Sequence, residues 1–306
     1  MQAEEVVDLE VASEAVLQVG VDLEALGADL VVVLLVEEEP LEVGNHMKKL
    51  AISILFLGFV GCQINENFGK LTFLADLPRD LNEVSGNQTL PHSKLIWMHN
   101  DGGNASKIYG VSRKGTIVKE LTIDTENHDW EDITRDEKGN LYIGDFGNNR
   151  NNRQNLRILK IPHTFMTTAE VVVETIAFEY ENQQAFPPEK AALCFDAEAF
   201  FYFKNHFYIF TKSRVKNRYG QTYMYKIPAT PGKHTAQLVG KYYNGNSSHS
   251  WITGAAISDD GTKVVLLSEK NVMIFTDFEG DAFLTGTVIT KLFKHISQKE
   301  GVCFKN

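Results

Sequence analysis

From about residue 80 onward, apolar and polar positions alternate in short runs, each run is closed by a turn-forming pair, and the whole arrangement repeats. Alternation at period two marks strands with one buried face. The clearest unit is WEDITRDEKGNLYIGDFGNN, Trp130 to Asn149, followed by NLRILKIP, Asn155 to Pro162. Within it Glu137-Lys138-Gly139-Asn140 predicts a hairpin, because glycine takes a positive φ at little steric cost. A second copy runs FDAEAFFYFKNHFYIFTK, Phe195 to Lys212, with Lys204-Asn205 as its turn, then TYMYKIP, Thr222 to Pro228. The third spans Ile252 to Asp277 and turns at Asp260-Gly261, the fourth spans Glu83 to Ser112, and a fifth, KEGVCFKN, reaches Asn306 after its opening strand.

Aligned on their opening strands, the copies place Ser85, Glu131, Glu198, Ala255 and Glu300 in one column, at intervals of 46, 67, 57 and 45 residues. A repeat near 45 residues with insertions suits a four-stranded blade, whereas a sandwich does not repeat its sequence. The expected fold is therefore all-β, a β-propeller of about five to six four-stranded blades over residues 70–306. Its last blade is expected to be truncated, with Phe68 to Leu77 able to supply one strand.

The first part of the chain has another pattern. Residues 1–46 hold nine Glu and three Asp, no Lys or Arg and no aromatic residue, and read as an acidic low-complexity extension from a start site placed too far upstream. Met47-Lys48-Lys49, the apolar run Leu50 to Gly61 and then Cys62 have the form of an export signal over residues 47–61. Cys62 is the expected lipidation site, with residues 62–69 as linker, and the membrane is then a partner through the lipid anchor. The expected localisation is exported, in the bacterial cell envelope, at the outer membrane or in the periplasm.

Charge changes the picture once it is located. The net −10 of the chain comes from the first 46 residues, and from Cys62 onward 28 acids face 28 bases. A balanced domain lacks the basic footprint that nucleic-acid binding needs. The one basic run, Lys212 to Arg218, reads as a solvated hairpin loop. Cys194 and Cys303 are too few for a disulfide framework.

The phrases EVSG, DWEDI, YIGDFGNN, DAEAF, ITGAAIS and EGVCF resemble the TolB-like six-bladed propellers, which include gluconolactonase-type and esterase-like phytase-type proteins and many bacterial lipoproteins. The resemblance covers roughly residues 70–306 and implies fold more than activity, since propellers host unrelated functions.

If opening strands line the central channel, Glu131, Glu198 and Glu300 converge there with Asp132 and Asp196 nearby. Two readings stay open. Either calcium bridges Glu131, Glu198 and Glu300, as the resemblance to calcium-dependent propeller hydrolases also implies, or the acids accept backbone amides of neighbouring blades. The ends of the second strands form a mouth of Asp101, Asp145, Lys212 and Glu269, with Asn104 and Asn148 beside them, where a protein or small-molecule ligand is expected. His128, oriented by Asp129, is the candidate general base. No nucleophile elbow, HExxH or P-loop is present. The expected function is ligand or partner binding by an envelope lipoprotein, the alternative a calcium-dependent lactonase- or phosphoesterase-like hydrolase.

Overall fold

The computed structural model describes residues 14–19, 30–36, 71–166 and 171–305. The export signal, Cys62 and most of residues 1–46 lie outside the described residues. Two strands come from the acidic extension, β1 (Glu14–Val19) and β2 (Leu30–Val36), and β3 (Thr72–Asp76) follows them. Blade one is β4 (Val84–Thr89), β5 (Ile96–Asn100), β6 (Lys107–Val111) and β7 (Ile117–Thr122). Blade two is β8 (Trp130–Arg135), β9 (Leu141–Asp145), β10 (Arg157–Ile161) and β11 (Glu174–Tyr180). β12 (Asp196–Phe203), β13 (His206–Lys212), β14 (Gln221–Pro228) and β15 (Gly232–Tyr243) make blade three. Blade four is β16 (Gly254–Ile257), β17 (Val264–Leu267), β18 (Asn271–Thr276) and β19 (Thr287–Leu292).

Blade five closes on β20 (Gln298–Phe304), with strand order β20-β2-β1-β3. Phe68 to Leu77 does supply its outer strand, and the two positions between are filled from residues 14–36. The composition of that segment, acidic and without aromatics, hid this, although EAVLQV and LVVVLLV are rich in residues that favour strands.

The five opening strands touch in a closed ring, β4 to β8 to β12 to β16 to β20 and back to β4. The protein is thus a β-propeller, and alternation along each strand sends side chains into the two flanking interfaces in turn. On β9, Leu141 and Ile143 join Trp97 and Trp130 between blades one and two, while Tyr142 joins Phe200 and Phe207 between blades two and three. Separate apolar clusters fill the next interfaces, and the ring-closing one packs Cys303 and Leu74 against Val84, Met98 and Val111. Cys194 and Cys303 are both free thiols.

The predicted turns are present. Lys204 and Asn205 have φ of 46° and 61°, the doubly left-handed geometry of a tight hairpin, and Gly139 and Gly261 sit at 81° and 69°.

Candidate functional site

The column of aligned residues coincides with a repeated irregularity. β4 pairs Val84 with Asn100 and then Gly86 with His99, leaving Ser85 unpaired. β8 skips Glu131 between Trp130 and Asp132, β12 skips Glu198 between Ala197 and Ala199, and β20 skips Glu300 between Lys299 and Gly301. Each is a β-bulge, which places an extra residue in the strand and re-aims its side chain. In blade four Ala255 pairs regularly with Leu266, and no bulge forms.

The bulge at Glu131 brings it to two other carboxylates. Asp101 follows β5, Asp129 precedes β8, and one oxygen each of Asp101, Asp129 and Glu131 lie within 4.8 Å of one another. Gly102 and Gly147 allow this approach, since a Cβ on Gly102 would collide with the Asp129 carboxylate and one on Gly147 with those of both Asp129 and Glu131. Glu131 is 4% exposed, and its carboxylate makes no hydrogen bond or ion pair among the described residues. Burial, then the charges of Glu198, Asp101, Asp129 and Asp196, hold its carboxyl well above the usual range. Asp101 stands at the solvent edge but is walled by protein, and burial with Glu198 and Asp129 pushes it up to about 7. Asp129 is raised for the same reason, against the pull of Arg153.

The other half of the mouth is compensated. Lys212 lies 2.8 Å from Glu198, and Arg214 lies 2.8 Å from Asp196 and 3.9 Å from Glu198. Both cations also stand 5.0 Å from the ring centre of Trp251, whose indole N–H donates to the Ser213 carbonyl. Burial works against the Lys212 ammonium, yet Glu198, Glu300, Asp196 and Glu131 together raise its pKa. Glu300 accepts from Gln298 at 2.5 Å, and burial, opposed by Lys212, pushes its carboxyl up to about 7. Burial and Glu198 bring Asp196 to about 6 despite Arg214 and the Asn148 amide.

The expected site residues stand in different surroundings. Glu198 pairs with Lys212 and Glu300 accepts from Gln298, whereas Asp101, Asp129 and Glu131 come together with no cation at ion-pair distance among the described residues. Channel and mouth are not separate rings, because Asp101 and Lys212 reach the channel acids. Asp132 is instead a tie between blades, accepting the backbone N–H groups of Ile133 at 2.8 Å and Phe200 at 3.1 Å. Asp145 is fully buried between Arg153 and Arg157, and Asn148 bonds Phe195, Asp196 and Arg153, so both brace loops. Glu269 pairs with His249, and Asn104 with Glu83. His128 is not oriented by Asp129. Its Nδ1 faces the Glu126 carbonyl, Arg157 and Asp145. Lys212 and Arg214 are counter-ions of the channel, not part of a solvated basic loop.

Trp251 escaped sequence reasoning, Arg214 was read only as part of a solvated loop, and Asp129 was read as the partner of His128 and not as one of the converging acids. Asp129 sits one residue outside a strand, where Asp usually signals a turn. The one available signal was that DWED carries three acids in four positions before a repeat of known phase.

No protein-family model matches the chain, and no curated protein matches it. Solved structures that it is similar to are β-propeller proteins. A streptogramin B lyase is 15% identical with a TM-score of 0.35 over 74% of this chain, which spans 60% of that protein. A chain of a nidogen/laminin complex is 9% identical, TM-score 0.40, over 95% of this chain and 98% of that one. The RS223 β-xylosidase is 10% identical, TM-score 0.48, over 95% and 96%.

Proposed function

We propose that this chain is an exported, lipid-anchored propeller of the bacterial cell envelope that binds a divalent cation at its axial mouth and presents it to a ligand. One observation carries the reading: Glu131, buried and unpaired, directed with Asp101 and Asp129 to a common point. A buried carboxylate without a partner is costly, and Glu131, set beside the half-buried Asp129 and the exposed Asp101, is stabilised when the group is protonated or bridged by a cation. The donors are all carboxylate oxygens, without His or Cys, which suits a hard ion such as calcium.

Calcium added to the full chain after EDTA treatment should raise its melting temperature, and Glu131→Gln should remove most of that shift. A melting temperature unmoved by calcium and by EDTA would sink the proposal. Mass measurement of the mature N-terminus separately tests processing at Cys62.

A cation-dependent hydrolase of lactones or phosphoesters is the second reading. It is supported by the convergence of Glu131 with Asp101 and Asp129, beside which burial raises the carboxyl of Glu300. Turnover that requires the cation and is lost in Glu300→Gln would establish it. Calcium binding without turnover retains the first reading.

A further inference from the structure

Blade five is assembled from distant parts of the chain. β20 gives its inner strand and β3 its outer one, and these two do not pair with each other. β2 pairs with β20 from Leu30↔Phe304 to Leu35↔Gln298, β1 pairs with β3 from Val16↔Asp76 to Val19↔Thr72, and β1 pairs with β2. The hairpin 14–36 therefore supplies every ladder bond within this blade.

The frame around it stands on other contacts. Val302 packs in the core shared with blade four, and Cys303 and Leu74 pack in the core shared with blade one. Thr253 donates to the Lys299 carbonyl, and Thr89 to the Phe304 carbonyl at 2.8 Å. Contacts that the hairpin does not make thus hold β20 on both of its faces and reach β3 through Leu74, the two walls of a slot two strands wide. The hairpin is joined to β3 only through residues 37–71, a covalent reach of about 120 Å at full extension.

We propose that the space between β20 and β3 is a strand-acceptor site, and that hairpin 14–36 is an exchangeable insert. The same hairpin, offered by a second molecule or as a separate peptide, adds to the same two edges. Main-chain ladders give such additions their affinity, as in β-augmentation and domain swapping.

The test keeps the full chain, with a specific protease site placed within residues 38–44 and cut after folding. The severed hairpin should co-elute with the propeller, and excess fluorescent peptide of residues 14–36 should replace it. The same peptide carrying Val33→Pro should not, since proline removes a ladder N–H. Three results each overturn the proposal: release of the hairpin on cutting with no change in melting temperature or in amide exchange along β20, retention with no uptake of native peptide, or equal uptake of the proline peptide.

Discussion

Glu131 and Asp132 are adjacent in sequence and equally hidden from water, yet their charges meet different fates. Asp132 turns to backbone amides of its own and the next blade, while Glu131 turns to other acids. Such acids make stability depend on pH with a definite sign. Asp101 rises from 3.8 to about 7, Glu300 from 4.5 to about 7 and Asp196 from 3.8 to about 6. Between those limits the folded chain holds protons that the unfolded chain has lost, so stability must fall as pH rises through that window. The EDTA-treated protein should therefore melt higher near about pH 5.5 than near about pH 8, and calcium should stabilise it more at the higher pH, where its ligands are ionised. A calcium effect larger at the acidic end would contradict this assignment. The column Glu131, Glu198, Glu300 was legible because a repeat fixes phase, but which acid meets a cation was not. Lys212 and Arg214 reach their partners through the fold, from an adjoining strand and loop that sequence spacing reads as solvated.

Bulges decide what a channel position can hold. Ser85, Glu131, Glu198 and Glu300 each stand out of the ladder, while Ala255 remains in it and packs, 4% exposed, in the core between blades three and four. Glutamate at position 255 would point into that core. Ala255→Glu should lower the melting temperature and cost several kcal/mol, on the order of burying one uncompensated acid, without strengthening calcium binding. Thermal melts with and without calcium check both parts, and a variant as stable as the parent would show that blade four can bulge too. Turns were readable because Gly139, Gly261 and Lys204-Asn205 carry their own chemistry. A bulge adds one residue to a period-two pattern without a residue-type signature, so it emerges only from the pairing register.

At the scale of the molecule the repeat was enough to forecast the ring, whereas alternation read as one buried face and β9, β13 and β17 are buried on both. Blade number was less legible, since the strands beside β20 share no motif with the others. Nor did any motif announce that β11 and β15, the outer strands of blades two and three, pair in parallel from Ile176↔Gly232 to Tyr180↔Ala236. That seam makes one continuous eight-stranded sheet from two blades. Outer strands normally fray first, because half of their amides face water, and β7 and β19 have that exposed character. β11 and β15 instead guard each other's edges. Blades two and three should open as a single cooperative unit in native-state hydrogen exchange, with amides along the seam outlasting those of β7 and β19. Equal fraying of all outer strands would mean that the seam adds no cooperativity. The propeller is accordingly a ring of unequal partners, in which the two fused blades are expected to open slowly and the others to come apart around them.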